Sequence, residues 1–508
     1  MPDYVAPGVH IEIARGPRPI QGVPTSITAF VGETKRGPIH PTFVTSFSEY
    51  SAEYGGSFGA DKYMPDAIAG YFANGGKQAF VCRIVAGDAV AARRSVCGLS
   101  IAAIGPGAWG NAVFVKLTEG TRARRSADDA GTFRLQVAYW PEPPPDDMYP
   151  DPFDPSVAPG PVAPILEEFD NLVWNEPGSP DHYLKRLNGN SSLVIASPNH
   201  SREFVGPTEA PFGALTGGKN GSALTADDYR GNSADPLFCS GLAALKFDAD
   251  VALVAAPAAS GDVVNALIQH CEQMRYRFAI IDAEQGQSDT ASLDPRAAWD
   301  TSYAAFYYPW ISVADPQSAT PRLVPPSGHV AGIFARTDIE RGVWKAPANE
   351  PVIGATSLEF EVSNATQDML NSRGVNAIRQ FPGRGIRLWG ARTLSTDSLW
   401  KYVSVRRLFI FLERSIAQGI QWAVFEPNNE ALWQQIEDRI REFLRSQWRA
   451  GALMGRTESE AFMVACDRST MTPEDILNGR LVCEIGVAPA RPAEFIIFRI
   501  LQDTAEAQ

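Results

Sequence analysis

The sequence predicts a multidomain protein of mixed α/β (α+β) class, and three observations carry that expectation. Continuous apolar runs at 251–255 and 278–281 flank a helical stretch at 261–276. That is the pattern of parallel strands covered by helices on both faces. A chain of 508 residues exceeds one ordinary core, and its length suggests about three domains. Finally, ten prolines fall between Pro141 and Pro164, with Asp146, Asp147, Asp151 and Asp154 among them. Proline fixes φ and removes a donor, so this segment is an exposed loop rather than a central strand or helix interior.

Bulk properties narrow the function classes. With 44% hydrophobic and 20% charged residues the chain has apolar material for several cores. A net charge of −13 argues against general nucleic-acid binding, which needs a basic footprint. The six cysteines (Cys82, Cys97, Cys239, Cys271, Cys466, Cys483) form no CxxC and no metal-ligand spacing, which fits small buried hydrophobes in a reducing cytoplasm. The opening Met-Pro-Asp-Tyr has neither a basic nor an apolar signal region. No run approaches the roughly 18 apolar residues of a membrane span. The expectation is assembly in the cytoplasm, with any release by lysis.

In chain order, residues 1–20 hold one strand: Val9, Ile11 and Ile13 alternate with His10, Glu12 and Ala14. A lone strand cannot satisfy its backbone groups, so it joins either its own domain's edge or a neighbouring subunit's sheet. Residues 21–96 read as a first α/β piece. Strands are expected at 28–31, 42–45 and 79–85, and helices at 46–54 and 65–72, the second stopped by Asn74-Gly75-Gly76. Residues 97–225 differ in character, with an alternating strand at 133–139 and the proline-rich loop at 141–164. Residues 226–345 read as an α/β domain, to which the aromatic-dense 302–311 adds a buried strand.

Residues 346–490 are expected to form the last domain. Val405, Leu408, Phe409, Leu412 and Ile416 mark a helix at 403–420, and 422–425 reads as a strand. Leu432, Trp433, Ile436, Ile440, Phe443, Leu444 and Trp448 fall on one side of an amphipathic helix at 430–449. Strands are expected at 462–465 and 481–487. Within 491–508, Phe495, Ile496, Ile497, Phe498 and Ile500 give a final strand that is apolar on both faces. Such a strand needs neighbours on either side, from its own chain or another.

Motifs with catalytic associations fail on context. Gly213-Ala-Leu-Thr-Gly-Gly218-Lys219-Asn220 nearly matches a phosphate loop but ends in Asn and follows no buried strand. Gly55-Gly-Ser57-Phe-Gly59 follows a polar segment, not the buried strand of a nucleophile elbow. His270 and Cys271 are helix neighbours that do not face each other. His10, His40, His182, His200 and His329 show no ligand spacing. No catalytic, cofactor or metal residue is nominated, and no cofactor is expected. Asp248, Asp250 and Asp282 at strand ends keep open a competing class, a cytoplasmic α/β enzyme of unknown chemistry in 226–345.

Longer stretches are more specific. Residues 325–351 read PPSGHVAGIFARTDIERGVWKAPANEP, opening on a turn-forming Pro-Pro-Ser-Gly. Gly374-Val-Asn-Ala-Ile-Arg379, Gly385-Ile-Arg-Leu-Trp-Gly-Ala-Arg-Thr393 and Gln421-Trp-Ala-Val-Phe-Glu-Pro-Asn428 follow. Nearer the start are Gly22-Val-Pro-Thr25, Phe30-Val-Gly32, Val44-Thr-Ser46, Tyr71-Phe-Ala-Asn-Gly-Gly76 and Gly107-Ala-Trp-Gly-Asn-Ala-Val113. On these stretches the chain resembles contractile tail sheath proteins, the subunits that wrap the inner tube of phage tails and related injection machines.

The resemblance implies a sheath-protein fold with a β-rich outer domain inserted at 97–225, and a C-terminal α/β domain joined to neighbours by terminal strand arms. The arm residues would be Val9, Ile11, Ile13, Phe495, Ile496, Ile497, Phe498 and Ile500. Arg439, Arg441, Arg445 and Arg449 would face the tube; the plainer reading of these arginines is surface pairing, for example of Glu437 with Arg441. Implied partners are other sheath subunits, the inner tube protein, and baseplate and terminator or cap proteins, with no nucleic acid and no membrane insertion. A non-contracting ring or baseplate component of the same fold is a further alternative. Residues 120–215 follow no pattern of the family.

Overall fold

Thr28–Gly32, Phe278–Asp282 and Ala304–Tyr308 are buried along their whole length, and they are the centre of the sheet that organises the chain. The computed structural model describes residues 19–122, 132–198, 209–232, 239–315 and 320–494. Nine strands lie side by side in the order Glu350–Pro351, Gly385–Leu388, Val375–Phe381, Ala304–Tyr308, Phe278–Asp282, Leu253–Ala255, Thr28–Gly32, Ala79–Arg83, Thr42–Val44. The six from Val375–Phe381 to Ala79–Arg83 run parallel, and both margins are antiparallel. The expected covered parallel sheet is present.

Each face has its own layer of helix. Ala29, Val31, Val254, Ala279, Ile281 and Phe306 pack with Val263, Val264, Leu267 and Cys271 of helix Gly261–Met274. On the other face Phe278 and Tyr307 meet Phe334 of helix Ser327–Arg341, and Phe30 meets Tyr71 of helix Met64–Ala73. These two helices approach closely. A side chain at Gly328 would strike the Ala67 backbone, and one at Gly332 would strike the Tyr71 carbonyl.

The sheet corrects the expected boundaries. Residues 21–96 and 226–345 supply strands to one sheet, as do residues beyond 345. Val375–Phe381 pairs parallel with Ala304–Tyr308, so 346–406 belongs with the α/β body and not with the C-terminal domain. Asn376 hides this strand in the sequence by interrupting its apolar run. In the fold it is fully buried, its amide donating to the carbonyls of Phe306 (3.1 Å) and Arg392 (2.8 Å). The described residues divide instead into Pro24–Arg406 and a second unit built from 407–494 together with 19–23.

Within the first unit, residues 93–214 carry two antiparallel sheets. One has the order Ala210–Ala214, Val113–Glu119, Phe133–Tyr139, Ile165–Leu172; the other joins Arg93–Val96, Leu99–Ala103 and Val194–Pro198. Leu99, Ile101, Val115, Leu117, Leu135, Val137, Leu187 and Val194 share one core. The proline-rich loop leaves this core with a single 3-10 turn, Pro145–Asp147. It is anchored by Lys116 on Asp151 (2.7 Å) and by Tyr149 against Phe114.

Candidate functional site

The surface with the clearest incomplete structure lies in the second unit. Helix Glu430–Arg449 starts at Asn429, whose side chain accepts the Leu432 N–H at 3.0 Å, an N-cap that satisfies one of the first-turn donors. Leu432, Trp433, Ile436, Ile440, Phe443 and Leu444 are buried as the apolar stripe predicts, while Trp448 stays part-exposed. Beside the helix lies a two-stranded antiparallel sheet, Phe462–Ala465 with Glu484–Val487. Residues 19–23 belong to the same unit: the Val23 N–H donates to Ser415 at 3.1 Å, and Ile20 packs at Gly419.

Two strands alone are marginal in water. This pair also leaves Met463 (54%) and Ile485 (39%) exposed, and among the described residues it gains no third strand. The expected strand at 422–425 is absent, which is a further correction. Gln421–Ala423 is a 3-10 turn, after which Val424 is 65% exposed and Phe425 stands fully in solvent at φ +70°. A bulky residue in left-handed conformation is unusual.

Of the four candidate arginines, three are engaged within the unit. Arg441 bonds Glu437 at 2.5 Å, as i,i+4 spacing allows, and lies 3.6 Å from Glu458. Arg445 forks onto both oxygens of Glu458 at 2.8 and 3.1 Å, and this bond holds the Glu458 carboxyl below its ordinary range. Arg439 stacks on Trp422 at 4.0 Å. Arg449 is exposed. Sequence reasoning missed Glu458, because its partner lies 13 residues away across a turn rather than on the same helix. The arm residues Val9, Ile11, Ile13, Phe495, Ile496, Ile497, Phe498 and Ile500 lie outside the described residues.

In the α/β body the candidate chemical groups serve the fold. Asp282 is buried and accepts the N–H groups of Ser327 (2.7 Å) and Ala258 (3.2 Å); burial pushes its carboxyl up to about 7. His270 is held by Arg277 at 2.6 Å and pushed down to about 3 by burial. Burial raises Cys271 to about 12, so the pair is no activated dyad. His329 lies against Gly70 and is pushed down to about 4, again by burial. In the phosphate-loop lookalike, the Gly218 N–H is taken by Asn111 and that of Lys219 by Val90, so the amides that would cradle phosphate are spent on internal contacts. Ser57 accepts from Arg322. Among the described residues no three His, Cys, Asp or Glu gather as a metal site, and no helix is long and apolar enough to cross a membrane.

The combined architecture, a doubly covered sheet interrupted by a β-rich body and followed by a small helix-and-hairpin unit, is that of sheath subunits. The sheath complex of the extracellular contractile injection system PVC, solved in the contracted state, superimposes with a TM-score of 0.59 over 99% of both chains at 23% identity. A crystal structure of a sheath tail protein from Listeria innocua gives 0.58 over 93% of this chain and 96% of that one at 13% identity. These likenesses establish the fold.

Family models place the chain more narrowly. The phage tail sheath protein central domain matches residues 223–394 and the phage tail sheath C-terminal domain matches 395–502, together more than half of the sequence. The chain belongs to the contractile tail sheath family. A putative prophage major tail sheath protein of Pseudomonas aeruginosa is 28% identical over 263 residues, 50% of this chain and 66% of that protein. The tail sheath protein of Enterobacteria phage T4 is 27% identical over 179 residues, 34% of this chain and 26% of that protein. The chain thus spans less than two thirds of these relatives' lengths.

Proposed function

We propose that this chain is a structural subunit of a contractile sheath. Many copies polymerise helically around an inner tube, and contraction drives the tube through a target envelope without nucleotide hydrolysis. The extended assembly is metastable, and contraction releases interface free energy laid down during assembly. The observation that carries this reading is the unfinished two-stranded sheet Phe462–Ala465 and Glu484–Val487, in a chain of sheath ancestry and sheath fold. Strand addition supplies what such a sheet lacks: main-chain hydrogen bonds at roughly 0.5–1.5 kcal/mol each, with side-chain anchors fixing register. We assign the incoming strands to Val9, Ile11 and Ile13 at one end of the chain and to Phe495, Ile496, Ile497, Phe498 and Ile500 at the other, donated to neighbouring subunits.

The helix Glu430–Arg449 is proposed to face the tube. Arg449 is its exposed cation, with Arg439, Arg441 and Arg445 held in place by Trp422, Glu437 and Glu458. Further partners are baseplate and terminator or cap proteins, and the particle is a phage tail or phage-tail-like device assembled in a bacterial cytoplasm and released by lysis. The test is negative-stain electron microscopy of the full chain beside one lacking residues 1–20. Tubes or stacked rings from the full chain and monomers from the truncation are expected. Small, discrete oligomers from both, with and without a tube template, would overturn the reading.

A further inference from the structure

The two strands of the C-terminal hairpin pair as Phe462 with Val487, Met463 with Gly486, Val464 with Ile485 and Ala465 with Glu484. Continued one step past its last pair, this register would set Cys466 opposite Cys483. Directly opposed residues of antiparallel strands have Cα atoms about 4.5–5.5 Å apart, inside the roughly 4.4–6.8 Å that a disulfide spans. The two thiols lie near enough to perturb one another, and burial raises both, Cys466 to about 12. Thr470 fixes this end of the hairpin, its hydroxyl donating to the Val482 carbonyl at 2.8 Å. Cys483 is half-buried. Cys466 is buried, at the floor of an open groove lined by Trp433, Glu437 and Arg468.

We propose that Cys466 and Cys483 are a redox-sensitive dithiol site that closes to a cross-strand disulfide on meeting an oxidised low-molecular-weight disulfide. Cys483 gives its proton to solvent, and its thiolate attacks one sulfur of the reagent, expelling one thiolate. Cys466 then loses its proton and attacks the Cys483 Sγ of the mixed disulfide, expelling the second. One S–S bond breaks and one forms in the protein, the cysteines lose two electrons, the reagent gains them, and two small thiols leave. A reducing compartment holds the site open; an oxidising one staples the hairpin at the end from which residues 467–482 depart. The inference concerns the hairpin itself and stands whether or not a neighbour's strand adds to it.

The experiment treats the native full chain with oxidised glutathione, blocks free thiols in denaturant and maps tryptic peptides without reduction. Trypsin cuts after Arg468 and Arg480, so the two cysteines fall on separate peptides. The expected result is one linked pair carrying residues 466 and 483, with loss of two of the six thiols. A rise of about 3 °C in the thermal midpoint should accompany it. Dithiothreitol should reverse that rise, and Cys483→Ser and Cys466→Ala should each abolish it. Retention of all six thiols, or a chain that stops at a glutathione adduct on Cys483, would overturn the proposal.

Discussion

Asp282 gives the molecule a pH dependence that runs opposite to that of an ordinary salt-bridged carboxylate. Its native carboxyl ionises near pH 7 because burial disfavours the charge, against a reference value of 3.8. Between those values the folded chain binds more protons than the unfolded one, so this residue's contribution to stability falls as pH rises from about 4 to about 7 and is flat above. Asp282→Asn removes the titration. Urea midpoints at pH 4.5, 6 and 7.5 should therefore decline more for the wild type than for the variant; parallel profiles would show that the group does not titrate there. Asp282 was visible in the sequence only as a carboxylate at a strand end. Its partner amides, Ala258 and Ser327, are 24 and 45 residues away, so neither its environment nor its role could be read locally.

Among the elements, the pair of helices Met64–Ala73 and Ser327–Arg341 is set by small residues. The turn-forming Pro-Pro-Ser-Gly expected at 325–328 turned out to end in the helix, with Gly328 and Gly332 facing the partner backbone. Gly332→Ala places a methyl against the Tyr71 carbonyl and should cost about 1–3 kcal/mol in chemical denaturation. Gly56→Ala, with open space around it, should stay within about 0.5 kcal/mol. Equal effects at both positions would mean that the crossing tolerates repacking. The amphipathic helix Glu430–Arg449 was legible to the residue because its stripe is long and regular. The short run at 422–425 was not: four apolar residues fit a strand as well as an exposed turn, and only the absence of a pairing partner decides.

For the whole molecule, a net charge of −13 makes copies repel one another at low ionic strength. If they assemble through apolar strand arms, raising salt from about 0.05 M to about 0.5 M screens the repulsion. The pelletable fraction should then rise; a fall would mean that complementary charges, not arms, hold the subunits together. The same scale shows where sequence-based division failed. The boundary expected at 345/346 lies inside the α/β body, because strands contributed from residues 28–83, 253–308 and 350–388 share one sheet.

By itself the sequence determined the mixed α/β class, the covered parallel strands, the exposed proline-rich loop and the sheath likeness. All of these are written in local periodicity, proline positions or contiguous motifs. Only the tertiary structure decided that the α/β pieces form one nine-stranded sheet, that Phe425 stands in solvent, and that Glu458 engages two arginines. It alone also brought Cys466 near Cys483. Each of these depends on pairing between segments distant in the chain. Local patterns fix what a segment can be, whereas register and long-range burial fix what it meets.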